Sequence, residues 1–197
     1  MSDPPDIARL RENLRFEAPL HGRPMRFETT WGLFSPRGID DGTKLLLDHF
    51  AAEPHHHTFD LGCGYGPIGL ALAADAPRGH ATLVDRDFLA VEYAARNARL
   101  NSLTNVTCRL GHGFAGTPSD VRFDNVVSNL PAKTGGEMLE VLLYDAWRHL
   151  NPGGRICVVT VTGLRRFIER HLKRRFGNYD KLKQNPAYTV ALAVRER

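Results

Sequence analysis

The stretch Asp60-Leu-Gly-Cys-Gly-Tyr-Gly66-Pro-Ile-Gly69 decides how the rest of the chain is read. Its second part, Gly64-Tyr-Gly66-Pro-Ile-Gly69, satisfies Gly-x-Gly-x-x-Gly between a predicted strand at 57–61 and a predicted helix at 68–74. Without Cβ atoms the chain turns tightly and lets a ligand approach the backbone, while the helix start presents free N–H groups. Two cofactor classes use such a turn, dinucleotides and S-adenosylmethionine. A dinucleotide lays its pyrophosphate against the helix N-terminus, where a neighbouring carboxylate repels it. Asp60 stands two residues before the first glycine. It suits a cofactor carrying a sulfonium and an ammonium, with the carboxylate near the amino-acid end, directly or through water. A dinucleotide site and a purely structural turn remain the alternatives at this point. Asp85 ends the next predicted strand, 81–85, where an acid can accept hydrogen bonds from ribose hydroxyls of either cofactor. Asp87 is the better candidate for capping the helix that follows.

Working outward, strands and helices alternate. Helices are predicted at 89–101, 136–150 and 164–176, and strands at 106–110, 125–128, 155–161 and 188–195. This order implies a parallel sheet covered on both faces. Upstream, 44–52 reads as a helix capped by the Thr43 hydroxyl and ended by Pro54. Residues 7–14 are compatible with one or two helical turns and 25–30 with a short strand. We therefore expect an N-terminal extension, 1–30, packed on a single domain, 31–197.

Composition narrows the class. Hydrophobic residues make up 42% and charged residues 24%, as in a folded globular chain and unlike a collagenous or disordered one. No apolar run approaches the roughly 20 residues a membrane span requires, and the start lacks the pattern of a secretory signal, so a cytoplasmic location without membrane attachment is expected. Cys63, Cys108 and Cys157 are widely spaced and indicate neither a disulfide framework nor a zinc site. His55-His-His57 enters a strand, where consecutive side chains point in alternating directions, so no metal is expected there. The net charge is +4, and it is concentrated: Arg165, Arg166, Arg170, Lys173, Arg174, Arg175, Lys181 and Lys183 face only Glu169 and Asp180. That segment is either a phosphate-facing patch for RNA or a solvated helix face. Asn185-Pro-Ala-Tyr188 is read as a turn lying away from the working edge of the sheet.

The second chemical signal closes the strand at 125–128 with Ser128-Asn129-Leu130-Pro131. Methylating an exocyclic amine requires its lone pair to face the methyl group, opposite the departing sulfur. Asn129 can accept one N–H through its side-chain oxygen and the Leu130 carbonyl another, so catalysis is chiefly positioning. No side-chain nucleophile is required.

On these residues the chain resembles the class I S-adenosylmethionine-dependent methyltransferases, and specifically the small-methyltransferase-domain family that includes the ribosomal RNA guanine-N2 methyltransferases. The resemblance covers nearly everything after about residue 25. It is carried by Gly32-Leu-Phe-Ser35, Asp40-Asp-Gly-Thr43, Asp60 to Gly69, Asp85-Arg-Asp87, Asn97 with Asn101, and Asn129-Leu-Pro131. It implies a Rossmann-like fold with a seven-stranded, mostly parallel sheet, an antiparallel last strand and helices on both faces. It further implies S-adenosylmethionine as cofactor, with Gly62, Gly64 and Gly66 holding its methionine part and Asp85 its ribose. Asp60, Cys63, Arg86 and Phe114 complete the expected cofactor contacts. Asn129, Leu130 and Pro131 form the expected catalytic motif, with Asn129 also near the cofactor.

Two segments depart from the family pattern. Leu130 and Ala132 stand where relatives carry proline and an aromatic or other apolar residue, so base stacking falls to Tyr65, Trp31 or Phe34. Gly111-His-Gly-Phe114 stands where many relatives place an acid for adenine, which leaves backbone groups and Phe114. The expected reaction is N-methylation of an RNA nucleobase, with guanine N2 of ribosomal RNA leading and Phe34, Arg165 and Arg166 touching the substrate. Adenine, a protein glutamine, a small molecule, or a non-catalytic RNA- or cofactor-binding module are the alternatives. A compact chain of this kind recognises substrate either as a homodimer or through its basic helix.

Overall fold

The computed structural model describes residues 12–131 and 134–196. A hairpin of β1 (Leu14–Leu20) and β2 (Arg23–Thr29) comes first. Along β1 alternate residues, Phe16, Ala18 and Leu20, turn towards the core, the period of a half-buried strand. Its two-residue turn, His21-Gly22, has positive φ at both positions (48° and 72°), the backbone that matches the twist of paired strands. The helical turns expected at 7–14 fall mostly outside the described residues, and Leu14 itself begins a strand.

Then follow α1 (Asp41–Leu47), β3 (His57–Leu61), α2 (Pro67–Asp75), β4 (His80–Asp85), α3 (Phe88–Leu100), β5 (Val106–Leu110), β6 (Phe123–Asn129), α4 (Gly136–His149), β7 (Leu150–Val161), a 3-10 turn at Thr162–Leu164, α5 (Arg165–Phe176), β8 (Asp180–Gln184) and β9 (Tyr188–Val194). The sheet runs β5-β4-β3-β6-β7-β9-β8, parallel except that β9 is antiparallel to both its neighbours. This is the Rossmann-like class I methyltransferase architecture. One refinement is that the antiparallel strand is inserted inside the sheet while β8 forms the edge. The sequence pattern does not reveal β8, because Asp-Lys-Leu-Lys-Gln has the charged composition of an edge strand, which resists pairing with a further chain.

Alternation along the buried strands builds two cores. Ile156 and Val158 of β7 meet α4 and α5 on one face, and Cys157 and Val159 meet the opposite core with α1, α2 and α3. Helix α1 is shorter than predicted and is capped by Asp40, whose carboxylate accepts the Thr43 N–H, and not by Thr43. At its far end imidazoles meet the last carbonyls: His49 contacts Leu45 and His21 contacts Leu47. Asp87 caps α3 as expected, accepting the Leu89 N–H.

The hairpin is tied to α3 by two asparagines one helical turn apart. Asn97 accepts the Glu28 N–H and donates to the Glu28 carbonyl, and Asn101 does the same with Arg26. These amides act as a substitute strand along the free edge of β2. Among the described residues no helix is long and apolar enough to cross a membrane.

Candidate active site

Strand order reverses between β3 and β6, which lead to β4 on one side and β7 on the other. The crevice beyond the carboxyl ends of strands at such a switch point is where open α/β sheets bind ligands. The glycine turn lies at the end of β3 and Asn129 at the end of β6, so the two halves of the site meet there.

In the turn, Gly62, Gly64 and Gly66 have φ of 71°, 56° and 98°. Their tasks differ. A Cβ on Gly62 or Gly64 would meet nothing within 4 Å, so both backbones face open space. A Cβ on Gly66 would lie 3.1 Å from Leu70, and one on Gly69 would lie 2.6 Å from Leu83 and 2.8 Å from Asp60. Those two glycines serve the packing of α2 against the sheet. The Asp85 carboxylate shapes the turn, accepting the Gly64 N–H at 2.9 Å and the Asp87 N–H at 3.0 Å.

Asp60 is buried, with one oxygen accepting the Gly69 N–H at 2.8 Å and the other, also buried, without a partner among the described residues. Burial pushes its carboxyl up to about 7, the Gly69 hydrogen bond opposes this and the Asp85 charge reinforces it. An orphaned acceptor beside an open glycine cradle fits a cationic cofactor and not a pyrophosphate.

Several expected cofactor residues stand otherwise. Cys63 is buried in the core and its thiol donates to the Gly64 carbonyl at 3.4 Å, so it braces the turn from within. Burial raises that thiol well above its ordinary range, with the charges of Asp60 and Asp85 adding to the effect. Phe114 has one ring face on Phe59 at 4.2 Å and the other on His149 at 4.9 Å, so it has no free face for adenine. Short residues around it explain this: Gly113 has φ of 61° and packs against Leu142, drawing the loop inward. Arg86 is exposed beside Asp85.

At the end of β6 the Asn129 side-chain nitrogen donates to Asp40 Oδ2 at 2.8 Å and to Thr43 Oγ1 at 3.2 Å. Leu130 buries its side chain and donates its N–H to the Val159 carbonyl. Among the described residues no donor meets Asn129 Oδ1 or the Leu130 carbonyl. Pro131 is exposed. Ala132 falls outside the described residues. The Tyr188 hydroxyl donates to the other Asp40 oxygen at 3.1 Å. The turn reading of Asn185–Tyr188 holds, since Asn185 Oδ1 accepts the N–H groups of Ala187 and Tyr188. Its placement away from the site does not hold. Asn129 pairs with Val159 and Tyr188 with Val161, because an antiparallel strand starts at the edge where its parallel neighbours end.

Around the rim, Phe34 is 68% exposed. Trp31 lies under the Arg37 guanidinium at 4.7 Å. Tyr65 is buried against Phe16 and Phe27, its hydroxyl donating to the Ser35 and Gly38 carbonyls, so it cannot stack on a base. Of the basic residues, Arg165 and Arg166 start α5 just past the end of β7, at the edge where Asn129 lies. Further along, Lys173 pairs with Glu169, Arg174 with Glu140, and Arg175 covers Tyr144.

At the opposite edge Glu53, His55 and His56 bring ligand-type atoms within 4.8 Å, a convergence allowed by a turn before β3 begins. His56 Nδ1 accepts the Glu53 N–H at 3.2 Å, however, so its proton resides on Nε2 and that nitrogen offers no lone pair to an ion.

Comparison with known proteins places this geometry. The model of the methyltransferase small domain matches residues 24–192. The chain belongs to the methyltransferase small domain family. Ribosomal RNA small subunit methyltransferase C of Pseudomonas entomophila is 34% identical over 155 residues, 77% of this chain and 46% of the relative. The uncharacterized protein YbxB of Bacillus subtilis is 30% identical over 159 residues, 80% of this chain and 78% of that protein. The solved T. thermophilus 16S rRNA N2 G1207 methyltransferase, in complex with AdoMet (S-adenosylmethionine) and guanosine, is similar at a TM-score of 0.83 and 25% identity, covering 93% of this chain and 50% of that one. This methyltransferase small domain thus spans about half the length of its ribosomal RNA methyltransferase relatives. S-adenosylmethionine is its methyl donor.

Proposed function

We propose that this methyltransferase transfers a methyl group from S-adenosylmethionine to an exocyclic amine of an RNA nucleobase, with guanine N2 of small-subunit ribosomal RNA as the target. One observation carries the reading: Asn129 Oδ1 and the Leu130 carbonyl, two acceptors that meet no donor among the described residues, lie at the end of β6, next to the strand that leads into the glycine turn. The relatives' activities on ribosomal RNA and the guanosine bound in the solved relative support the RNA and guanine assignments.

When bound, the cofactor supplies an electrophilic methyl on a sulfonium. The protein supplies geometry. A planar amine that gives its two N–H groups to Asn129 Oδ1 and Leu130 O keeps only the out-of-plane face of its nitrogen for reaction. These acceptors also interact more strongly as positive charge develops on that nitrogen, the differential that lowers a barrier. Gly62 and Gly64 would hold the methionine part of the cofactor, Asp60 would offset its positive charge, and Asp85 would accept from its ribose. Phe34 is the side chain free to stack on the target base, and Arg165 and Arg166 meet phosphates.

Incubation with methyl-labelled donor and three acceptor fractions, undermethylated small-subunit ribosomal RNA, total protein and small metabolites, tests the assignment. Label recovered as N2-methylguanosine after nuclease digestion is the expected outcome. Label confined to protein or metabolites, or to another nucleoside, overturns it.

A further inference from the structure

We infer that Asp40 and Tyr188 are positioning residues that set which way the Asn129 amide points, and thereby restrict the site to acceptors that donate N–H groups. The inference rests on the reading that Asn129 accepts from the substrate. It adds the device that makes this possible.

A primary amide has a donor end and an acceptor end of nearly equal size, and either could face the crevice. An ionised carboxylate only accepts hydrogen bonds. With Asp40 Oδ2 2.8 Å from the Asn129 amide, the NH2 end is held inward and the oxygen outward. Thr43 Oγ1 at 3.2 Å takes the second N–H. Asp40 is itself held at both oxygens: Oδ2 accepts the Thr43 N–H at the start of α1, and Oδ1 accepts the Tyr188 hydroxyl from β9. Burial and the Asp40 charge raise the Tyr188 phenol above its ordinary range, so it remains a donor. Gly42 makes the meeting possible, since a Cβ there would lie 2.9 Å from both Asp40 Oδ2 and the Tyr188 ring. The start of α1 therefore holds the β6 amide directly, and β9 braces it through Asp40. A hydrogen bond to the charged group also polarises the amide, enriching its oxygen as the substrate nitrogen becomes cationic.

Asp40→Ser separates positioning from folding. Serine is as good an N-cap as aspartate, so α1 is retained. Its single, shorter hydroxyl cannot hold the Thr43 N–H, the Asn129 amide and Tyr188 at once, and a hydroxyl both donates and accepts, so either end of the Asn129 amide can face the crevice. The variant should lose about 100-fold in kcat, the scale of a misplaced reacting group. KM should change little, and donor affinity by calorimetry should match the wild type. Tyr188→Phe should lose less, about three- to tenfold, and Gly42→Ala should resemble Asp40→Ser without removing a single polar atom.

A second readout needs no acceptor. In 15N-labelled protein the Asn129 side-chain amide, identified by its loss in Asn129→Ala, should exchange slowly with solvent in the wild type and shift and exchange faster in Asp40→Ser. An unchanged amide signal, or kcat within twofold of wild type for Asp40→Ser, overturns the inference. Should wild-type protein label no RNA, the assigned function fails, and the amide resonances alone decide the orientation device.

Discussion

Replacing Asp60 by asparagine should make the ligand-free protein more stable at pH 8 while weakening its hold on the methyl donor. In the folded chain Asp60 is 1% exposed and its carboxyl is raised from 3.8 to about 7, chiefly by burial. Between these values the folded state binds more protons than the unfolded state, so stability falls as pH rises, and the loss is complete above about 7. A gap of about three pH units amounts to about 4 kcal/mol, of which about 1.4 kcal/mol disappears between about pH 6 and pH 8. For a domain of this size that is a decrease of roughly 3–6 °C in melting temperature. In Asp60→Asn the new side chain keeps an acceptor for the Gly69 N–H and puts an NH2 where the unpaired oxygen stood. Thermal unfolding of both proteins without donor, from about pH 5.5 to 8.5, reads the effect. The difference between them cancels the histidines they share. It should widen in the variant's favour with rising pH and level off above about 7.5. Calorimetry at pH 8 should show the donor bound at least about tenfold more weakly by the variant, which lacks the compensating charge. A stability difference that does not vary with pH would refute the reasoning, because Asp60 would then titrate as in the unfolded chain.

Asn97→Ala removes three hydrogen bonds to buried or half-buried backbone, at Glu28 and Tyr65, and should lower stability by about 2–4 kcal/mol in denaturant melts, with a parallel weakening of donor binding. Phe34→Ala should raise KM for RNA about tenfold, the loss of one stacked base, and leave donor affinity unchanged by calorimetry. Arg165→Ala and Arg166→Ala should each reduce the slope of log affinity for single-stranded RNA against log salt by about 0.7, whereas Arg174→Ala should leave it unaltered.

The parts of the molecule legible in the sequence are those governed by local chemistry. Alternating strands and helices, the glycine turn, the Asp85 position and Asn129 at a strand end follow from periodicity and side-chain type. The methyl-donor reading of Asp60 rests on the sign of its charge. What escapes depends on distant partners. Sequence offers Phe114 to adenine, but Phe59 and His149 cover both its faces, and it offers Tyr65 for stacking, but the hairpin closes over that ring. The strand Leu14–Leu20 carries its alternating pattern openly, yet a helical pattern just upstream overshadows it. Asp40 and Thr43 are visible only as a cap pattern and a family motif, and Tyr188 only as a turn residue. Their common function emerges from sheet order, which places β9 beside β7 in reverse.

That reversal has a consequence for the order in which the molecule is completed during synthesis. The donor half of the site draws on residues up to about 130, all made early. The brace on Asp40 waits for Tyr188, which β9 carries to the site from its place between β7 and β8. Until β9 is paired, Asp40 lacks the Tyr188 donor and both cores lack the side chains of Val190, Ala191 and Ala193. Closing the sheet and bracing the acceptor amide are thus a single event.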